Sequence, residues 1–393
     1  MRHASLALLL ASLISSAAHA DGFAGAADSR KMEALLAKSM LAISNSRPDV
    51  ALSDVDSLLK INPKFKLAQL VKGDLLLARS QPLTSFGDMP HAPHDQVAEL
   101  RDEARVRLQR YQEKPPVALE PRYLWKLDAE QHYAIVVDTS KATLYLYRNV
   151  DGKAHYVADY YITSGKKGAD KTSEGDQKTP IGVYYIKASL PKRELSDLYG
   201  SSAYPLSYPN EWDRMHGRNG HGIWLHGTPS NTYSRPPRAS NGCVVLPNEN
   251  LKDIGKVVQV GITPVIITDH VNWSTASDES DRDSLLKSLE QWRKDWASRN
   301  TGAYLKHYAP NFTNGKESFA VWSRQKEQIN ANKTWIKVDL SNVSVFAYPD
   351  QPNLAVVNFE QDYSSNNLSD RMKKRQYWIK HGNRWQIIYE GAA

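Results

Sequence analysis

The residues best suited to chemistry in this 393-residue chain fall in one stretch, which holds the single cysteine, Cys243, and a histidine upstream, His226. Apolar Ile223-Trp224-Leu225 leads into the histidine, and Val244-Val245-Leu246 follows the cysteine. Pro229, Pro236 and Pro237 lie between them; prolines remove backbone donors and fix φ, so this segment reads as a loop. Two strand-like ends joined by a loop can bring a thiol and an imidazole together, as thiol nucleophilic catalysis requires. A thiol with its ordinary pKa near ~8.5 is mostly protonated at neutral pH and needs a base or a cation beside it.

His226 is the expected base. It ends an apolar strand and precedes Gly227-Thr228, where a sharp turn can aim the imidazole. His216 and His221 sit in a Gly-rich stretch better suited to a loop facing substrate. Gly242 leaves the backbone open, so the amides of Gly242 and Cys243 are expected to face an oxyanion. Ser240 is expected either to bond the imidazole or to steady the turn. Two other readings compete. His216, His221, His226 and Cys243 offer a zinc-like donor set, but their spacing matches no helix face, strand face or common zinc motif. A buried, inert core cysteine fits the apolar side of Cys243 but not Ser240-Asn241-Gly242.

These residues need a scaffold, and the chain divides into several parts. Arg2 and His3, an apolar run from Ala4 to Ile14, and Ala18-His19-Ala20 form the pattern of a secretory signal over 1–20. Export to a periplasm or cell envelope follows, and a lone cysteine there has no internal disulfide partner. No later segment has the run of apolar residues that a membrane span needs. The formal charge of +7 is spread out, without the basic blocks that signal nucleic-acid binding.

Residues 29–112 read as a helical module, with breaks at Asn45-Ser46-Arg47-Pro48 and Asn62-Pro63. Pro115, Pro116 and Pro121 mark a boundary before a mainly β domain over 122–270. Its strands are Tyr133–Asp138, Thr143–Tyr147, Val157–Thr163, Val183–Ile186 and a last one ending at Ile267. Residues 271–283 read as a polar linker. Helices followed by four strand candidates then give an α+β domain over 284–393. The expected architecture is therefore an N-terminal α-helical module, a central mainly β sandwich and a C-terminal α+β cone.

His226-Gly227-Thr228 and Ser240-Asn241-Gly242-Cys243 resemble the active-site signature of the L,D-transpeptidase catalytic (YkuD-like) family. Ile135-Val136-Val137-Asp138, Leu144-Tyr145-Leu146-Tyr147, Lys178-Thr179-Pro180-Ile181-Gly182 and the strand ending at Ile267 extend that resemblance over about residues 130–270. The last domain resembles the nuclear transport factor 2-like (SnoaL-like) fold, and the pairing resembles the helical-cell-shape L,D-carboxypeptidases. The resemblance implies that Cys243 is the nucleophile and His226 the base, with Ser240 and Gly242 shaping the turn. The implied substrates are peptidoglycan stem peptides, cleaved between a diamino acid and the terminal D-alanine. The acyl group would pass to an amine, or to water in a carboxypeptidase. No metal or organic cofactor is implied.

Many cross-linking members carry His before the Gly-Cys pair and Arg two places after the Cys; here those positions hold Asn241 and Val245. The long aromatic insert from Leu190 to Gly222 reads as a lid over the cleft, or else as a structural cap on the sheet. Gly227, Asn241, Tyr204, Tyr208, Trp212, Arg235 and Arg238 are the expected substrate contacts. The flanking domains are expected to bind peptidoglycan or an envelope protein. A peptidoglycan-binding scaffold without catalysis is the reading from outside enzymology.

Overall fold

The computed structural model describes residues 24–83, 85–87, 93–113 and 117–393. The expected export signal over 1–20 and the boundary prolines Pro115 and Pro116 lie outside the described residues. Among the described residues, no helix is long and apolar enough to cross a membrane.

The helical module comprises α1 (Ala24–Ser44), α2 (Pro48–Ile61), α3 (Lys66–Leu77) and α4 (His94–Gln112). Its breaks follow local chemistry. Ser46 takes a left-handed φ of 56° after α1, and Pro48 opens α2, where a missing amide costs nothing. Leu36, Val55, Leu58, Phe65 and Val71 form its core, which also takes in Tyr233 of the following domain.

The central region runs β1 (Leu124–Lys126), β2 (Tyr133–Asp138), β3 (Thr143–Val150), β4 (Lys153–Tyr161), β5 (Ser164–Gly165), β6 (Gly182–Tyr185), β7 (Leu190–Pro191) and β8 (Ser202–Pro205). It continues through α5 (Glu211–Met215), β9 (Trp224–His226), β10 (Arg238–Ser240), β11 (Val244–Val245), α6 (Asn248–Gly255) and β12 (Pro264–Thr268). One sheet has the order β4-β3-β2-β12-β6 and a second the order β11-β9-β8-β7. Ile135, Val137, Leu144 and Leu146 of the first pack against Leu225 and Val244 of the second, with Leu251 and Ile254 of α6 completing the core. Removing each such side chain from water contributes ~1.5–3 kcal/mol.

The insert after Leu190 is largely structural. Its strand β8 pairs antiparallel with β9, with Ala203 opposite His226, so part of the expected lid belongs to the sheet that carries the histidine.

The last region contains α7 (Ala276–Ala297), α8 (Thr301–Leu305), β13 (Tyr308–Thr313), α9 (Phe319–Ala331), β14 (Ile336–Ala347), β15 (Leu354–Ser365), β16 (Ser369–His381) and β17 (Arg384–Ala392). The sheet order is β1-β14-β15-β16-β17-β13. Leu285, Leu289, Trp292, Trp296, Tyr304 and Trp322 pack its helices onto the sheet.

Two expected boundaries change. The stretch from Ala276 to Asp283 is the first part of α7, because Thr275 and Asp278 form a reciprocal capping box that starts the helix early. Residues 124–126, expected within the central domain, form β1, which edges the C-terminal sheet with Leu124 opposite Phe346. The two domains also share an apolar core in which Tyr145, Val183 and Ile266 meet Phe346, Tyr348 and Tyr377. Glu211 of α5 accepts from Arg375 at 3.0 Å and from the Tyr377 hydroxyl at 3.2 Å across the same junction.

Candidate active site

Strands β9 and β11 run parallel, with Val244 beside Leu225 and Val245 beside His226. Leu225 and Val244 are fully buried in the core. Side chains alternate along a strand, so His226 and the residue just before β11, Cys243, project to the opposite face together. The loop between them closes because its ends are neighbouring strands.

The imidazole of His226 is buried, and its Nδ1 lies 2.7 Å from the Gly227 carbonyl. A carbonyl can only accept, so Nδ1 carries the proton and Nε2 is left as the basic nitrogen. Burial drives the His226 pKa down to about 4; the Gly227 bond pulls the other way, and the Arg235 cation adds to the fall. The imidazole is therefore neutral at physiological pH. The half-buried thiol of Cys243 donates to the Gly222 carbonyl at 3.3 Å. Burial pushes its pKa up, while the Trp224 amide and the Arg235 and Lys171 cations work to lower it. A neutral thiol and a neutral imidazole on one face suit proton removal during attack better than a standing ion pair.

The turn before Cys243 is tightly determined. Ser240 Oγ donates to the Cys243 carbonyl at 2.6 Å and accepts from the Gly242 amide at 3.1 Å. Ser240 thus steadies the turn and does not bond the imidazole. The same bond commits the Gly242 amide, so the expected pair of oxyanion donors reduces to the Cys243 amide. Gly242 has φ 124°, and a Cβ there would meet the Lys178 carbonyl at 2.7 Å, so the position requires glycine. Buried Thr179 donates to the Gly242 carbonyl at 3.0 Å.

On the histidine side, Asn248 accepts from the Ser201 amide at 2.8 Å and donates to the Thr228 carbonyl at 2.8 Å. It fills the space beside Gly200 and Gly227, where a Cβ would meet its Oδ1 at 2.3 and 2.1 Å. Gly227 is therefore buried packing and not an open substrate contact. The Tyr199 ring lies 5.1 Å from the His226 ring, edge to face, and 4.8 Å from Trp224. Tyr199 is the one aromatic side chain of the insert in ring contact with the imidazole.

Thr179, Asn248 and Tyr199 were not singled out from the sequence as site residues. Thr179 lies in the quoted Lys178-to-Gly182 segment and Tyr199 in the insert, whereas nothing local marks Asn248.

The other expected contacts separate. Asn241 is exposed beside Cys243, and Arg235 is half-buried with its guanidinium donating to the Ala239 carbonyl. Tyr204 and Tyr208 belong to the core, and Tyr208 donates to the Asn219 carbonyl at 2.8 Å. Arg238 turns away to pair with Asp102 of α4 at 3.2 Å. Trp212 stacks on Tyr377 at the domain junction, 6.4 Å between centroids, and lines a cavity of about 320 Å³ with Asp170, Arg218 and Tyr348. Aromatic type suggested contact with substrate, but Tyr204 and Tyr208 are buried in the core, and Trp212 stands half-buried at the junction with the C-terminal sheet.

His216 Nδ1 is occupied by the Trp212 carbonyl at 2.8 Å, and His221 lies 3.5 Å from Glu174. Among the described residues, no group of three His, Cys, Asp or Glu side chains is arranged to hold a metal ion.

The C-terminal domain has its own cavity, about 170 Å³, lined in part by Trp296, Lys326, Lys333, Tyr363 and Lys374. Burial lowers the Lys326 pKa, and its ammonium lies 5.4 Å from the Trp322 ring.

Residues 132–267 match the family model of the L,D-transpeptidase catalytic domain, YkuD. Residues 284–391 match that of the Cds6 C-terminal NTF2-like domain. The chain thus carries an L,D-transpeptidase catalytic domain joined to an NTF2-like domain, and the helical module lies outside both matches. Among solved structures, Bd1075 of Bdellovibrio bacteriovorus is similar at 28% identity and TM-score 0.61, covering 70% of this chain and 98% of its own. The helical cell shape determining protein Pgp2 of Campylobacter jejuni is similar at 26% identity and TM-score 0.59, covering 68% of this chain and 95% of its own. A comparison with curated proteins finds no match.

Proposed function

We propose that this protein is an exported cysteine acyltransferase that opens the bond between the diamino acid and the terminal D-alanine of peptidoglycan stem tetrapeptides. One observation carries the reading: parallel β9 and β11 turn Cys243 and His226 to one face, while Gly227 fixes the imidazole tautomer. Cys243 Sγ attacks the carbonyl carbon of the third residue as Nε2 of His226 takes the thiol proton. The oxyanion faces the Cys243 amide. Collapse breaks the C–N bond, His226 returns the proton to the departing D-alanine amine, and a thioester remains. An incoming amine or a water molecule then opens the thioester, again deprotonated by His226.

Transfer to an amine makes the protein an L,D-transpeptidase. The pairing of the two matched domains, and the similarity to a helical cell shape determining protein, favour a second reading in which water is the acceptor and trimming to tripeptide sets cell shape. Arg235, half-buried beside the thiol, is the substrate contact that remains best supported, with the carboxylate of the stem peptide as its partner. The cationic, aromatic cavity of the C-terminal domain suits an anionic wall fragment and a positioning role.

Incubation of the mature protein with defined tetrapeptide muropeptides, read by mass spectrometry, tests the proposal. Release of D-alanine that disappears in Cys243→Ala supports it, and release that persists in that variant refutes it. Tripeptide as the sole product with an acceptor amine present selects the carboxypeptidase; a cross-linked product selects the transpeptidase. The non-catalytic scaffold predicts no release and a Cys243 that resists alkylation.

A further inference from the structure

The loop between His226 and Cys243 is docked on the helical module along its length. Lys64 Nζ donates to the Ser230 carbonyl at 2.8 Å, and the Tyr233 amide donates to the Lys64 carbonyl at 3.2 Å. The Tyr233 ring packs 4.8 Å from Phe65. Next along the loop, Ser234 Oγ donates to Glu103 Oε1 of α4 at 2.8 Å.

That contact rests on an unusual foundation. Glu103 and Arg107 are each 1% exposed, and burying an ion costs several kcal/mol unless it is paired and bonded. Arg107 Nε donates to Glu103 Oε1 at 2.9 Å, and the other side of its guanidinium pairs with Glu33. Burial pushes the Glu103 carboxyl up against the pull of Arg107; burial also opposes the Arg107 charge, but Glu33 and Glu103 hold it protonated. An apolar patch would join two modules at less cost. The ionic cluster adds direction, because Oε1 takes both Arg107 and Ser234.

Ser234 immediately precedes Arg235, and the same cluster reaches Arg235 a second way. The Arg107 guanidinium lies 3.6 Å from the Tyr161 ring centroid, and the Tyr161 hydroxyl donates to the Arg235 carbonyl at 2.9 Å. Thr163 donates to that carbonyl at 3.0 Å while exchanging two backbone bonds of 2.9 Å with Val245. Arg235 is thereby fixed to the strand that follows the nucleophile. Among the described residues, no carboxylate stands within salt-bridge distance of its guanidinium, which donates to the Ala239 carbonyl and whose charge favours the thiolate of Cys243.

We infer that Ser234 and Glu103 are positioning residues, and that the helical module acts through them to hold Arg235 beside Cys243 for thiolate stabilisation and substrate carboxylate binding. The inference rests on the reading of Cys243 as the nucleophile.

The test is the pH–rate profile of Cys243 alkylation by iodoacetamide in the full mature chain, with Ser234→Ala, Arg235→Gln and the double variant. Ser234→Ala is expected to move the midpoint to higher pH and slow alkylation at pH 7 about threefold or more, as a displaced cation would. The double variant is expected to match Arg235→Gln alone, because both substitutions remove one interaction. Ser234→Thr, which keeps the hydroxyl, is expected to restore the unsubstituted profile. If Ser234→Ala does not fold, Tyr161→Phe takes its place with the same expected shift.

A profile unchanged by Ser234→Ala, effects that multiply in the double variant, or no restoration by threonine each overturn the inference. Alkylation needs no peptidoglycan, so these outcomes are separate from the D-alanine release that judges the proposed function.

Discussion

The hydroxyl of Thr179 accepts from the Gly165 amide at 2.9 Å and donates to the Gly242 carbonyl at 3.0 Å. One buried side chain therefore ties β5 to the residue before Cys243. Thr179→Val keeps the shape and leaves both backbone groups unpaired. A loss of ~1–3 kcal/mol is expected by chemical denaturation. D-alanine release is expected to fall about tenfold, because a displaced nucleophile loses its near-attack geometry.

Gly242→Ala tests the turn from the other side. The Cβ would press on the Lys178 carbonyl at 2.7 Å and on Ile223 Cδ1 at 3.1 Å, at a positive φ that side chains avoid. Strain on the order of 1–3 kcal/mol is expected to lower the melting temperature. Cys243 alkylation should be altered in the same protein, since relief moves the thiol.

The neutral state of His226 sets the acid limb of the pH profile. With its pKa held down at about 4, kcat/KM for tetrapeptide is expected to fall only below about pH 4–5 and not near the ordinary ~6.5. His226→Gln should reduce turnover by ~10²–10⁴. Stability follows the same residue. The unfolded chain binds the proton first, so the contribution of His226 is complete above ~6.5 and is lost as pH falls toward about 4. Thermal melts across this range should be flatter in His226→Gln than in the unsubstituted protein.

Local chemistry made much of this architecture legible. Strand-forming residues on either side of a polar turn marked β2 and β3, which pair antiparallel with Asp138 opposite Thr143. Asn-Ser-Arg-Pro and Asn-Pro marked the helix breaks because those residues resist helical geometry. His226 and Cys243 were readable as a pair from residue type and flanking strands. Burial of Tyr204 and Tyr208 was not readable: both look like contact residues until the fold takes their rings into the central core. Arg238 looked like a carboxylate contact, and its partner Asp102 lies far away in the chain. Asn248 clamps Gly227 through a fold-dependent approach that no spacing rule announces.

Glu211 and Arg375 offer a test of the domain junction. Burial opposes the Glu211 charge, yet Arg375 holds its carboxyl below the usual range. Glu211→Gln leaves Arg375 partly uncompensated, and a loss toward the ~3–5 kcal/mol of a broken buried pair is expected in denaturant titration. The native contribution is present above the unfolded carboxylate pKa and disappears as pH falls through the lower folded value. Equal losses in the variant and the unsubstituted protein at acid pH would contradict this role.

Strand β1 carries a consequence for assembly. Its pairing partner β14 lies at the opposite end of the two-domain body in chain order, beyond the whole catalytic fold. Leu124 to Lys126 have no strand partner until residues past Ile336 follow, and their backbone groups stay bonded to water until then. The C-terminal sheet thus takes its edge strand from a segment that precedes the catalytic fold, and cutting the chain at the apparent border would leave a naked edge on one half and an orphan ribbon on the other.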